Sequence, residues 1–122
     1  MKALLTFLFS FIILVTFAQK PRVFVLTDIE NEPDDAMSFV RFLTYANHFD
    51  VEGIVATTSC WQRNKTAEWR LHEITEAYGK VRDNLEKHES GFPTEAYIHS
   101  IIKKGLPVFG KEGVGAGKDS EG

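Results

Sequence analysis

Between Arg22 and Thr57 the hydrophobic period changes twice, and that change constrains the fold more than any other stretch of the chain. Arg22-Val23-Phe24-Val25-Leu26-Thr27 is a nearly continuous apolar run rich in β-branched and aromatic residues. It reads as a buried strand of a parallel sheet. From Asp35 onward Ala36, Phe39, Val40, Leu43 and Ala46 recur at three- and four-residue intervals with Phe42 beside them, which predicts one buried face of a helix ending near Asn47-His48. Val51-Glu52-Gly53-Ile54-Val55-Ala56-Thr57 then returns to a strand pattern. Strand, helix and strand at this spacing make a βαβ unit with a right-handed crossover and both strand C-terminal ends on one side.

Beyond the second strand the pattern weakens. Ser59 to Arg63 reads as a loop, and Asn64 as the cap of a helix through Ala67, Trp69, Leu71, Ile74, Ala77 and Tyr78 to a stop at Gly79. Lys80 to Ser90 is charged and at best amphipathic. Thr94 starts a short helix carrying Ala96, Tyr97, Ile98, Ile101 and Ile102, closed by Lys103-Lys104-Gly105. Gly110 to Gly122 has five glycines and no period. Two strands are fewer than the four to six of a usual sheet, so residues 19–122 read as the N-terminal part of a larger α/β domain, truncated after its first βαβ units.

The N-terminus sets the expected compartment. Lys2 precedes an apolar stretch from Ala3 to Val15, and Thr16 and Ala18 supply small residues for cleavage after Ala18. Residues 1–18 therefore read as a signal peptide, the mature chain as secreted or periplasmic, and no stable membrane span is expected after cleavage. With 14 Lys plus Arg against 17 Asp plus Glu, the net charge of −3 has the wrong sign for a phosphate backbone, so no nucleic-acid polymer is an expected partner. The lone Cys60 gives neither an internal disulfide nor a thiolate cluster. Nothing in the sequence sets the oligomeric state.

Chemistry concentrates after the first strand, in Thr27-Asp28-Ile29-Glu30-Asn31-Glu32-Pro33-Asp34-Asp35. Five of the eight residues from Asp28 to Asp35 are carboxylates. Two such groups about 4 Å apart repel by roughly 4 kcal/mol at an effective dielectric of 20, so convergence calls for a cation or raised pKa values. Ligands in open α/β sheets bind at strand C-terminal ends, where this loop lies, and Pro33 would place Asp34 and Asp35 at the positive end of the next helix. A solvated, helix-capping acidic loop is the plain alternative. Trp61 is the better of the two tryptophans for stacking on a sugar, because it lies on the same rim, whereas Trp69 at helical spacing reads as core. His72-Glu73-Ile74-Thr75-Glu76 lacks the second His of a zincin helix, Gly113 to Asp119 departs from a phosphate loop, and His48, His88 and His99 have no ligand spacing and read as surface residues.

A strand followed by Asp-x-acid-x-x-x-Asp-Asp and a helix resembles the signature of the inosine-uridine nucleoside hydrolases, on Asp28, Glu30, Asp34 and Asp35. The form Thr-Asp-Ile-Glu-Asn-Glu-Pro-Asp-Asp, with Ser38 to Arg41, Gly53 to Ser59 and Lys118 to Gly122, more closely resembles the secreted nucleoside-hydrolase-like domain of bacterial cellulose-binding proteins. The resemblance implies a parallel-sheet, Rossmann-like nucleoside hydrolase fold. It also implies calcium as cofactor, with Glu30 as calcium ligand and water-activating base, Asp35 as a second calcium ligand, Asp28 supporting loop or metal, and Asp34 holding sugar hydroxyls. Glu30 stands where the family has Asp, and Cys60 lies near where an Asn usually meets substrate. Two functions follow. One is a calcium-dependent hydrolase of N-glycosidic or related glycosyl bonds; the other is a noncatalytic carbohydrate-binding domain with a metal-structured acidic rim. A phosphotransferase using Asp28 is a weaker third, because no Gly-Thr follows.

Overall fold

The computed structural model describes residues 19–122, so the signal peptide expected over residues 1–18 lies outside the described residues. Strand β1 runs Arg22–Thr27, helix α1 Pro33–Leu43, strand β2 Asp50–Ala56, helix α2 Glu68–Glu86, helix α3 Glu95–Ile101 and strand β3 Ile102–Lys104. One-turn 3₁₀ segments occupy Ala46–His48 and Gly110–Gly113. The three strands form one parallel sheet in the order β1-β2-β3. The α/β class and the first βαβ unit are as the hydrophobic periods predict.

Several sequence expectations change. The helix expected to carry Ile102 and to be closed by Lys103-Lys104-Gly105 ends at Ile101; Ile102–Lys104 is a third strand, pairing Ile54 with Ile102, Val55 with Lys103 and Ala56 with Lys104. Asn64 does not cap α2, which begins at Glu68 after Ala67. Nor does Gly79 stop it: α2 continues to Glu86, and the glycine makes room where α3 crosses, because a β-carbon there would meet the Glu95 carboxylate. Thr94 caps α3 as expected, its hydroxyl accepting the Tyr97 N–H at 3.1 Å.

Strand order explains where the core sits. Right-handed crossovers that step one way along a sheet place their helices on one face. Ile29, Phe39, Leu43, Val51, Ile54, Ala56, Leu71, Tyr78, Ile98 and Ile102 form one buried cluster. Val51 and Ile54 share it despite their odd spacing because the β1–β2 register shifts at Glu52, which lets Val23 pair with Val51 and Phe24 with Gly53. On the other face β1 is not the buried strand predicted: Phe24 is 59% and Leu26 67% exposed. Gly53 leaves room there for the Phe24 ring, and the backbone at Gly122 lies against Val55. No helix among the described residues is long and apolar enough to cross a membrane.

Candidate functional site

The acidic loop begins with a tight turn. The Asn31 N–H donates to the Asp28 carbonyl at 3.0 Å, and Glu30, the third residue of that turn, has φ +70°. A positive φ at that position is the type II pattern, which favours glycine or asparagine. The cause lies next door, because Ile29 drives its side chain into the core, 1% exposed, and turns the Glu30 carboxylate outward. Glu32 then caps α1 in a reciprocal box in which the Asp35 carboxylate accepts the Glu32 N–H at 2.8 Å. Pro33 opens the helix, and Asp34 and Asp35 occupy its first turn.

A second turn docks onto the first. The Ser59 hydroxyl accepts from the backbone N–H groups of Trp61 at 3.2 Å and Gln62 at 3.0 Å and donates to the Asn31 side chain. The Gln62 amide reaches across to the Ile29 carbonyl at 3.3 Å. Both Ser59 and Gln62 are buried, whereas Trp61 projects between them with 75% of its surface exposed. Thr57 donates its N–H to the Thr27 carbonyl at 2.8 Å, and the Gly105 N–H donates to the Ala56 carbonyl at 2.9 Å, so the C-terminal ends of all three strands meet along one rim.

The structure thus brings Asp28, Glu30, Asp34, Asp35 and Trp61 to this rim and gives them different surroundings. Glu30 is bound from α2: the Arg70 Nε lies 2.5 Å from its Oε1, while Arg70 Nη1 reaches Glu73 at 2.9 Å. The bond to Glu30 is the main cause that raises the Arg70 pKa above its usual value. Asp35 is engaged in the helix cap. Among the described residues no group of three or more His, Cys, Asp or Glu side chains is placed to hold a metal ion. The hard oxygen donors that calcium prefers are present, yet Glu30 faces a guanidinium and Asp35 a backbone amide, so the set as arranged does not fit a calcium site.

Sequence reasoning missed Arg70, Ser59, Gln62 and Asn31. Only the polarity of their own loops hinted at Ser59, Gln62 and Asn31, and the 40-residue separation of Arg70 from Glu30 leaves no local signal. Trp69 is not core: it is 50% exposed, with the Arg70 guanidinium 4.8 Å from its ring centre. His99 is not a free surface residue either, because its Nδ1 meets the His72 Nδ1 at 2.7 Å between α3 and α2.

Comparison with known proteins bears on this rim. The family described as cellulose-binding Sde182, nucleoside hydrolase-like domain matches residues 22–122. Among solved structures, a nucleoside hydrolase-related hypothetical protein from Saccharophagus degradans, associated with carbohydrate metabolism, is similar at 40% identity with a TM-score of 0.78. The match covers 85% of this chain and 25% of that one, so the chain spans about a quarter of that relative. No curated protein matches it.

Proposed function

This chain belongs to the cellulose-binding Sde182, nucleoside hydrolase-like domain family, and from that premise we propose that it binds a carbohydrate along the rim at the C-terminal ends of its strands. In this reading Trp61 is the stacking platform, Asp34 and Asp28 accept sugar hydroxyls, and the protein works outside the cytoplasm. One observation carries it. The buried Ser59 and Gln62 side chains bond to Asn31 and Ile29 of the acidic turn, which sets the turn that carries the exposed Trp61 next to the turn that carries the carboxylates. An aromatic face beside charged acceptors suits a sugar ring, which offers apolar C–H groups on its faces and hydroxyls at its edges.

A titration of the full chain with a cello-oligosaccharide, followed by tryptophan fluorescence, tests this. Trp61→Ala is expected to weaken binding by about tenfold or more, and Asp34→Asn by roughly 1.5–3 kcal/mol. Unchanged affinity in both variants would overturn the reading.

Hydrolysis of an N-glycosidic or related glycosyl bond is the second reading, favoured by the acidic residues standing in motif order directly after β1. There Glu30 would accept the proton of the attacking water, and the calcium site that the resemblance implies on Glu30, Asp35 and Asp28 would require Glu30 to leave Arg70 and Asp35 to leave the helix cap. Glu30→Gln should then cut release of free base or reducing sugar by about 10²- to 10⁴-fold. For a binding module the same substitution has no turnover to remove.

A further inference from the structure

Glu30 would sit more easily as glycine on backbone grounds, since its φ of +70° is costly for a side chain, yet it carries a carboxylate aimed at a cation from another element. Arg70, in the first turn of α2, engages Glu30 through Nε and Glu73 through Nη1, while its flat guanidinium lies over Trp69. Three contacts on three sides fix the plane of the fork, a geometry that lysine cannot reproduce. Asp28 precedes Glu30 by two residues and Asp35 closes the α1 cap, and of the loop carboxylates it is Glu30 that this guanidinium from α2 engages.

We infer that Arg70 is a positioning residue that takes the place of a metal ion at Glu30: it compensates the Glu30 carboxylate, holds it in its left-handed turn, and makes ligand recognition at this rim independent of calcium. A divalent cation placed against Glu30 would face the guanidinium at contact range, and like charges so close repel. The rim therefore recruits calcium only when the arginine is gone. This rests on the carbohydrate-binding reading for its consequence, not for its geometry.

The test compares melting temperatures of the full chain in calcium chloride and in chelator, for wild type, Arg70→Met, Arg70→Lys and the double variant Glu30→Gln/Arg70→Met. The wild type is expected to melt at the same temperature in both, and Arg70→Met to gain several degrees from calcium by mass action. That gain should vanish in the double variant, which removes the uncompensated carboxylate, and should be largely suppressed in Arg70→Lys, which keeps the charge. A salt bridge with a merely structural role would lower all melting points without creating any calcium response. The inference is overturned if calcium stabilises the wild type as much as Arg70→Met, or if Arg70→Met shows no response. Should Arg70→Met fail to fold, calorimetric titration of the wild type decides, because a calcium dissociation constant of about 1 mM or tighter overturns the inference and no detectable binding supports it. A wild type that ignores calcium and also fails to bind cello-oligosaccharide would sink the functional reading while leaving the role of Arg70 standing.

Discussion

Gly105 follows β3 at the rim, and its replacement by alanine separates crowding against backbone from crowding against a side chain. An added β-carbon would lie 2.6 Å from the Ala56 carbonyl oxygen and 3.4 Å from Val55 Cγ1. Relief to the 3.0 Å limit of real contacts requires a shift of about 0.4 Å, and the atom approached is backbone of the central strand. That oxygen also accepts the Gly105 N–H at 2.9 Å, so moving away stretches the bond joining the end of β3 to β2. Overpacking typically costs about 1–3 kcal/mol and a weakened hydrogen bond up to about 1. The stiffer unfolded chain returns about 0.4–1 kcal/mol. The expected net loss is about 2 kcal/mol, or roughly 8–16 °C in a domain of this size. Gly79→Ala is the control. Its β-carbon would meet the end of the Glu95 side chain, which can swing away at the expense of a partly exposed contact with His99 at 3.6 Å. A mid-helix glycine replaced by alanine gains about 1 kcal/mol, so this variant should melt at or above the wild-type temperature. Thermal melts followed by circular dichroism on the full chain read both. Equal losses in the two variants, or no loss in Gly105→Ala, would refute the distinction between backbone and side-chain obstacles.

Burial, reinforced by the neighbouring His99 and opposed by Glu68 and Glu76, lowers the His72 pKa. The unfolded chain therefore takes up this proton first, and the contribution of His72 is present above its unfolded pKa of about 6.5 and lost as pH falls below it. Melting temperature should drop more steeply from about pH 7.5 to about 5.5 in the wild type than in His72→Gln; parallel slopes would contradict this. Tyr78 donates to the Pro93 carbonyl at 2.7 Å, and burial pushes its pKa up to about 12. Tyr78→Phe should cost about 0.5–1 kcal/mol by chemical denaturation, at the low end because Arg82 Nε also serves that carbonyl at 3.1 Å. Thr94→Ala, which removes the α3 cap, should cost about 1 kcal/mol in the same assay.

Elements whose burial follows one period were legible in the sequence. Phe39 and Leu43 are core because α1 turns one stripe toward the sheet, and Ile54 and Ala56 because β2 is central. What escaped was set by contacts distant in sequence. Ile102-Lys103-Lys104 is too short and too charged for a strand pattern, and its exposed lysines suit an edge. Gly79 reads as a stop signal by local chemistry, but the helix runs on through it, and the neighbour that a β-carbon would meet there is the end of the Glu95 side chain from another helix. At the rim, the carboxylates and Trp61 stood out by residue type. Their partners did not, because Arg70 reaches Glu30 only after α2 packs against the sheet.

The order β1-β2-β3 is also the order of synthesis. Each new strand can dock beside one already formed, and none needs to be inserted between two neighbours. The connection from β1 to β2 has 22 residues and that from β2 to β3 has 45, and doubling a loop adds only about 0.6 kcal/mol of closure entropy. The second addition is thus barely dearer than the first, and it gains the α2–α3 packing surface on arrival. The sheet can lengthen from β1 toward β3 as the chain emerges, with the rim assembled loop by loop in the same sequence: first the acidic turn, next the Ser59–Gln62 turn that bonds to it, and last Gly105 against Ala56.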